Sequence, residues 1–348
     1  MKSKYLKNMP MNLAIIAILI FITFKYLITG FSSQDIKDAY NISQKSYLVV
    51  AMLFAILYMF CEAKNTKRLL NSFGYDAKIF QTVRYAFTGF FFAGLTPSAT
   101  GGQPVEIFVM KKEGIKISHS SLVLMLELCS FQLATVIMAL VGFYYNFDYI
   151  MNGDNIYTYV IFFGIIINFL IFLFIFFAIF SKRFLKYIKG ICYFFIDKLK
   201  FIKDKDKKKK LVDSGLDDYR YSSIYVKSNK LIAFKTLVTS FIQVSILYSI
   251  SYIVYRALGY EELSFFSVFF LQALAFVSVS AMPLPGAIGI SEKVFNFLFL
   301  PTYGKILNEG LILTRGINFY FLFSVSALVF FVSYNKYVFG RNKVNGKA

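Results

Sequence analysis

Charged side chains are scarce in this chain, and their scarcity excludes an ordinary water-soluble protein. Only 16% of the 348 residues are Asp, Glu, Lys or Arg, whereas 57% are hydrophobic and the mean hydropathy is +0.60. Soluble domains have about 25% charged and about 45–50% apolar residues. One globular core could not bury so much apolar surface, but lipid accepts apolar side chains on every helix face. We therefore predict an all-α, polytopic integral membrane protein.

Cysteine and histidine are also few, which argues against several kinds of site. The three cysteines, Cys61, Cys129 and Cys192, lie far apart without CxxC spacing, so neither a disulfide framework nor a metal site is predicted. A single histidine, His119, excludes a histidine-rich metal cluster. The sequence has no GxxxxGK[ST] phosphate loop, no GxGxxG and no HExxH. We expect no ATP-driven motor, no metal and no cofactor.

The net charge of +19 would suit a nucleic-acid partner, but its location favours a membrane surface. Residues 182–230 hold 15 Lys or Arg against 6 Asp or Glu and lie between two apolar stretches. Cytoplasmic loops of membrane proteins carry such an excess. The same loop could contact anionic lipid, since each basic residue there is worth about 1 kcal/mol. We predict no directly bound nucleic acid.

Apolar runs long enough for a helix that crosses the bilayer, about 20 residues, recur along the chain. The predicted spans are 11–29, 46–63, 119–145, 156–181, 231–257 and 317–336. Two more stretches, 79–110 and 263–304, are interrupted by Pro and Gly and are interpreted as re-entrant hairpins or as broken spans. The total is about seven or eight helices.

We predict one transmembrane domain over residues 1–348, with a first half of about 1–181 and a second half of 231–348. The basic loop 182–230 separates them, and its segment Lys182–Ile202 is predicted to form an amphipathic surface helix. The positive-inside rule places this loop and both chain ends in the cytoplasm. The basic start of the chain is read as preceding a retained span, not a cleaved signal peptide.

The two interrupted stretches share a residue pattern. One reads Thr96-Pro97-Ser98-Ala99-Thr100-Gly101-Gly102-Gln103-Pro104-Val105-Glu106, and the other reads Met282-Pro283-Leu284-Pro285-Gly286-Ala287-Ile288-Gly289-Ile290-Ser291-Glu292. Each has two prolines, two glycines and a Glu nine residues after its first Pro. Corresponding Gly/Pro-interrupted segments in two halves indicate a transporter binding site and are compatible with an inverted repeat.

Physical chemistry connects these interruptions to anion binding. Proline removes a backbone N–H and stops a helix, and glycine permits backbone shapes that other residues resist. In lipid, freed backbone groups must be buried in protein or line a wet cavity. A helix that restarts there aims its N–H groups and positive dipole end at an anion such as phosphate. The alternative interpretation is a pair of kinks or helix-packing sites.

Ionisable residues within apolar segments extend the candidate site. Glu127 is costly to bury in lipid, and Arg84 is predicted to pair with Glu127 or Glu106 or to bind a lipid phosphate. Arg315 is read as an interfacial anchor. The candidate lipid-binding residues are Arg84, Thr96, Pro97, Ser98, Thr100, Gly101, Gly102, Gln103, Pro104, Glu106, Glu127, Pro283, Pro285, Gly286, Gly289 and Glu292.

The interrupted segments, in their hydrophobic frame, resemble the transmembrane domain of lysylphosphatidylglycerol synthases, the flippase-like or multiple peptide resistance factor family. The stretches that carry the resemblance are 92–97, 101–106 and 283–292. It extends over nearly the whole chain, and the paired motifs carry it together.

The resemblance implies a protein of the bacterial cell membrane that moves a cationic lipid to the outer leaflet and so counters cationic antimicrobial peptides. Full-length relatives add a cytosolic domain that transfers lysine from lysyl-tRNA to phosphatidylglycerol. Since this chain ends at Ala348, we expect it to lack that domain and to have a separate transferase as a partner. Phosphatidylglycerol or its lysyl ester is the expected lipid, and an oligomer is compatible with the sequence.

Three functions remain open at this point. The leading hypothesis is translocation of an aminoacyl or anionic phospholipid. The second is the phosphatidylglycerol lysyltransferase itself or a subunit of it. The third is a secondary transporter of another lipid-linked intermediate or of a small anion.

Overall fold

The computed structural model describes residues 32–96, 99–153, 155–198, 204–280, 282 and 289–339. The described residues form an all-α fold. Its helices are α1 (Ser33–Ile42), α2 (Lys45–Ser72), α3 (Ile79–Gly94), α4 (Gly102–Lys112), α5 (Ile117–Tyr145), α6 (Phe147–Met151), α7 (Asn155–Phe180), α8 (Lys182–Lys198), α9 (Lys205–Ser228), α10 (Lys230–Ala257), α11 (Phe265–Ser280), α12 (Ile290–Tyr303), α13 (Leu307–Arg315) and α14 (Leu322–Phe339). The predicted span 11–29 and both chain ends lie outside this part.

Five stretches of the described chain are long and apolar enough to cross a membrane. They are Lys45–Ser72, Ile117–Tyr145, Ile156–Phe180, Lys230–Ala257 and Ile290–Ser333. The first four confirm the spans predicted at 46–63, 119–145, 156–181 and 231–257. The predicted span 317–336 lies mostly within the fifth stretch, and its helix begins earlier, because the helical backbone continues from α13 through the π-helical turn Gly316–Phe321 into α14.

Helices α2 and α10 form an antiparallel pair at the centre of the bundle. At one end the N–H of Gln44 donates to the carbonyl of Ala257 at 2.7 Å. At the other end Asn65 Nδ2 donates to the carbonyl of Thr236 at 3.3 Å. Small and aliphatic residues fill the contact between them, including Ala51 and Ala55. Helix α5 packs against the same pair, which builds the core that holds the site.

Each interrupted stretch folds as two short helices that pack on each other. Helices α3 and α4 have 16 and 11 residues, and α11 and α12 have 16 and 14. At 1.5 Å per residue, each is about 24 Å long or less. None of them alone covers the roughly 30 Å of a hydrocarbon core. Their re-entry into the membrane and an inverted repeat between them stay predictions.

The described residues of the basic segment 182–230 are mostly helical and form the pair α8 and α9. The predicted amphipathic helix is present as α8, and α9 was not predicted. Lys189 Nζ lies 2.6 Å from Asp213 Oδ1, and Lys209 Nζ lies 2.8 Å from Asp197 Oδ1. These cross-helix pairs offset the repulsion among the lysines. These ion pairs could not be predicted from the sequence, because the paired residues are 24 and 12 positions apart in the chain.

Candidate functional site

A cavity of about 270 Å³ lies between the two interrupted stretches. Ala93, Gly94 and Ala99 line it from the first, and Ser280, Met282 and Ser291 from the second. Tyr58, halfway along α2, and Leu247 of α10 also line it. The cavity therefore lies near the middle of the central helices α2 and α10, between the two interrupted stretches.

Arg315 and Glu292 form an ion pair at the mainly apolar wall of the cavity. Arg315 lines the cavity, and its Nε lies 3.5 Å from Glu292 Oε1. The guanidinium is 5.7 Å from the ring centroid of Phe319, another lining residue. The Arg315 side chain is 12% exposed, so its interpretation as an interfacial anchor is wrong. It is held inside because a carboxylate from α12 offsets its charge.

Glu292 also fixes the start of α12. Gly289 has φ of +85°, a conformation that only glycine adopts without strain. The N–H of Gly289 donates to Glu292 Oε2, and Ser291 Oγ donates to the same oxygen at 3.0 Å. Glu292 therefore caps the start of α12. The cap aims the other carboxylate oxygen at Arg315.

Thr96 closes the turn of the first interruption. Its Oγ1 accepts from the N–H of Gly101 at 2.8 Å and donates to the carbonyl of Phe92 at 2.9 Å. A Cβ on Gly101 would lie 2.6 Å from Thr96 Cγ2, so the turn needs glycine there. Ala99 next to it has φ of +55°, an uncommon conformation for a residue with a side chain. The turn is thus held tightly where it meets the cavity.

Glycines bring α3 and α4 into close contact. A Cβ on Gly102 would lie 2.9 Å from the carbonyl oxygen of Gly89, and a Cβ on Gly89 would lie 1.8 Å from Glu106 Oε1. The carboxylate of Glu106 therefore occupies the space that the missing side chain of Gly89 leaves. Glu106 is buried, and its Oε2 has no hydrogen-bond partner. Although its position matches that of Glu292, it caps no helix.

Two more carboxylates lie near Glu106. Glu127 on α5 and Glu62 on α2 both interact with it electrostatically. Glu127 is buried with Oε1 unpaired, and Gln243 Nε2 donates to Glu62 Oε2 at 3.5 Å. We call Glu62, Glu106 and Glu127 the carboxylate cluster. Sequence reasoning missed Glu62, because it lies at the very end of the predicted span 46–63 and Lys64 follows it closely.

Arg84 pairs with a different residue from those expected. Its Nη2 lies 3.4 Å from Glu113 Oε1, and Tyr85 and Gln81 donate to Glu113 Oε2 at 2.7 and 2.6 Å. The prediction that Arg84 pairs with Glu127 or Glu106 is therefore wrong. In the antiparallel hairpin, Glu113 follows the end of α4 and so lies beside the first half of α3.

The remaining candidate residues fall into two groups. Thr100 and Pro104 are exposed, whereas Gln103 is partly buried. The residues Pro97, Ser98, Pro283, Pro285 and Gly286 lie outside the described part of the chain. In that part, no group of three His, Cys, Asp or Glu residues is placed to hold a metal ion.

The chain matches a known family over the region that contains the cavity. The family described as "Lysylphosphatidylglycerol synthase TM region" matches residues 11–326. The chain belongs to this family. The matched residues include both interrupted stretches, the described cavity lining and the carboxylate cluster. With the apolar helices, family membership makes the chain a multi-pass membrane protein.

A more distant relative covers most of the chain. A UPF0104 membrane protein of Archaeoglobus fulgidus is 25% identical over 287 residues, which are 79% of this chain and 84% of the relative. No solved structure matches significantly. The resemblance proposed from the paired motifs is thus confirmed at the level of the family.

Proposed function

We propose that this protein moves phospholipid from one leaflet of the membrane to the other, with the headgroup passing through the cavity between the interrupted segments. The substrate class is lysylphosphatidylglycerol or a related aminoacyl or anionic phospholipid. The observation that carries the proposal is the position of the cavity, which is lined by residues of both interrupted stretches and by Arg315, the partner of Glu292.

The cavity's chemistry suits a headgroup that carries both charges. Arg315 supplies a planar guanidinium, which binds phosphate well. Glu292 supplies a carboxylate for an amine, and the N-terminus of α12 adds a positive dipole end. A substrate with a phosphate and an amine can replace the Arg315–Glu292 contact with two contacts of its own. A neutral headgroup cannot.

The volume of the cavity suits the headgroup of a lipid, not the whole lipid molecule. It is about 270 Å³, slightly below the roughly 300–1,000 Å³ of sites that enclose a complete small ligand. The acyl chains would stay in the bilayer while the headgroup passes inside. In this proposal the paired short helices enter the membrane as hairpins, because protein and cavity then satisfy their broken backbone.

Orientation and partners follow from the charge pattern and the family. Lys and Arg concentrate in 64–78, 111–116 and 182–230, and we propose that this face meets the cytoplasm of a cell membrane. A separate cytosolic aminoacyl-transferase would supply the lipid there. Moving it outward would lower the negative charge of the outer leaflet and so contribute to resistance against cationic antimicrobial peptides.

Reconstituted vesicles test the proposal directly. Purified protein is placed in vesicles with labelled lysylphosphatidylglycerol, phosphatidylglycerol or phosphatidylcholine, and leaflet transfer is followed by quenching of the outer label. We expect transfer of lysylphosphatidylglycerol, whose headgroup carries a phosphate and amines, to exceed that in protein-free vesicles. Transfer equal with and without protein for all lipids would refute the proposed function.

Substitutions in the ion pair locate the site. Arg315→Gln removes the guanidinium proposed to bind the headgroup phosphate. Since one charge-assisted hydrogen bond is worth about 1.5–3 kcal/mol, transfer should slow at least tenfold. Lys305→Gln is the matched control, since Lys305 is exposed and outside the cavity lining. Equal slowing of both variants would place the headgroup path elsewhere.

A further inference from the structure

We propose that the carboxylate cluster is a proton-binding site that exchanges protons for the cationic headgroup in the cavity, so that a proton gradient drives lipid movement. This inference rests on the proposed function and names its energy source. Four observations lead to it: the burial of Glu106 and Glu127, the unpaired oxygens of these two residues, the position of the cluster one helical turn from the cavity, and its polar connection to the basic face.

Two oxygens of the cluster lack the partners that buried negative charges need. Glu106 is 4% exposed and Glu127 is 8% exposed. Glu106 Oε2 and Glu127 Oε1 are both buried without a hydrogen-bond partner. An isolated buried carboxylate is so costly that it takes up a proton instead. A proton is therefore the ligand that these unpaired oxygens accept.

Mutual repulsion strengthens this argument. The three carboxylates come from three helices, α2, α4 and α5, and Glu106 and Glu127 both interact with Glu62. Like charges that share a site cannot all be ionised, and such groups bind and release protons as a unit. The number of protons on the cluster thus responds to any charge that arrives nearby.

The cavity lies one helical turn from the cluster. Tyr58, which lines the cavity, is four residues before Glu62 and so on the same face of α2. Gly89, which contacts Glu106, is four residues before Ala93, another lining residue. A cationic amine in the cavity is therefore close enough to favour release of a proton from the cluster.

Polar side chains connect the cluster to the basic face. Thr66 lies beside Glu127, and Arg68, one turn after Lys64, also attracts Glu127. Arg68 is itself held by Asn65 Oδ1 at 2.7 Å and by Thr239 Oγ1 at 3.1 Å. Asn65 further donates to Ser240 Oγ at 3.3 Å. Released protons would leave along this side.

Other ionisable groups meet the cluster from α2 and α10. In the described part of the chain, Tyr58 interacts electrostatically with Glu62, and Arg68 interacts with Glu127. Cys61 and Tyr248 in turn interact with Tyr58. Arg84 is occupied by Glu113, and the thiols and phenols remain neutral near pH 7. Arg68 is then the cation that the cluster meets, and one cation cannot offset three carboxylates.

The exchange balances charge and protons. When a cationic headgroup enters the cavity, a proton leaves a cluster carboxyl for the basic face, and the net charge of the site is unchanged. When the headgroup leaves on the other side, a proton from that side returns to the carboxylate. Each turnover thus moves a proton opposite to the lipid.

Vesicles with an imposed pH difference test the coupling. They contain pyranine as an internal pH dye and labelled lysylphosphatidylglycerol, and both lipid transfer and proton flux are recorded with the gradient in each direction. For the wild-type chain we expect at least a threefold change in transfer rate on reversal, with lipid-dependent proton flux. E106Q, which keeps the shape and removes the proton exchange, should abolish both gradient effects while residual transfer continues.

The exposed Glu262 provides the control, since E262Q should behave like the wild type. If E106Q does not fold, E127Q provides the same test. Wild-type transfer that ignores the gradient, without proton flux, would overturn the coupling and leave the proposed function standing. If no lipid moves, the proposed function fails. If those vesicles also show no Glu106-dependent proton flux, the proton-binding role of the cluster is overturned as well. If they do show such flux, the cluster binds and releases protons in the transport of another cargo.

Discussion

At the scale of single residues, the contact between Gly89 and Glu106 leaves the least space for a side chain among the glycine contacts of the site. Any side chain at position 89 would meet three atoms of the Glu106 side chain, at 1.8, 2.5 and 2.8 Å. The glutamate cannot move away freely, because it is buried between α3 and the neighbouring helices. The first hairpin therefore depends on glycine at this position.

We predict that Gly89→Ala lowers stability by about 1–3 kcal/mol, the usual cost of overpacking a core. Thermal unfolding in detergent measures it. Gly190→Ala is the matched control, because a Cβ there meets nothing within 4 Å and alanine favours a helix. A melting temperature for Gly89→Ala equal to that of Gly190→Ala would contradict the prediction.

The residues also show which roles a sequence pattern can indicate. The cap formed by Glu292 could be predicted, because capping depends on residues three apart in the chain. The partners of Arg84 and Arg315 could not, since Glu113 and Glu292 are 29 and 23 residues away and meet them only after folding. Glu62 has a lysine two residues later, and that spacing indicated a membrane interface, not a buried cluster.

At the scale of elements, Asn168 joins α7 to the end of α11, just before the second interruption. Its Nδ2 donates to the carbonyl of Val277 at 3.1 Å, and Ser280 Oγ donates to its Oδ1 at 3.1 Å. Gly164, one turn earlier, lets α7 approach closely, since a Cβ there would lie 2.5 Å from the same carbonyl. Ser280 lines the cavity, so this joint positions its wall.

We predict that Asn168→Ala destabilises the protein by about 1–3 kcal/mol, because polar groups on α11 are left buried without their partner. Thermal unfolding gives the value, and hydrogen exchange should show faster exchange at the end of α11. The exposed Asn152 provides the control, as Asn152→Ala removes an amide without a buried contact. Unchanged exchange in α11 would show that the joint does not hold this segment.

The interrupted stretches could be located from the sequence, but their shape could not. Pro and Gly mark where a helix stops, so the breaks near 97 and 283 were visible. The way α3 returns along α4 depends on Gly89 and Gly102 meeting across the hairpin. The pairing of α8 with α9 likewise depends on lysine–aspartate contacts between helices.

At the scale of the molecule, the outer surface of the helix bundle is apolar. Helix α7 exposes large hydrophobic side chains along its length, among them Ile166 at 54% and Tyr159 at 69%. In water such a surface would aggregate, whereas lipid solvates it. A charge placed on this surface should therefore be more costly near the middle of α7 than near its end.

We predict that Ile166→Arg, near the middle of α7, impairs insertion by about 2.5–3.5 kcal/mol, the cost of arginine at a helix centre. The membrane-integrated fraction in an in vitro translocation assay measures this. Tyr159→Arg is the control, because a residue near the end of the helix can extend its charge to the interface. Equal insertion of both variants would indicate that α7 does not span the bilayer.

The sequence by itself determined that this chain belongs in a membrane, where most of its helices lie, and where two of its segments break. These properties depend on hydrophobicity and on Pro and Gly, which act over a few neighbouring residues. The tertiary structure alone decided that residues on either side of both breaks line one cavity, that Arg315 faces it, and that Glu62 joins Glu106 and Glu127. These contacts join residues far apart in the chain, and helix packing brings them together.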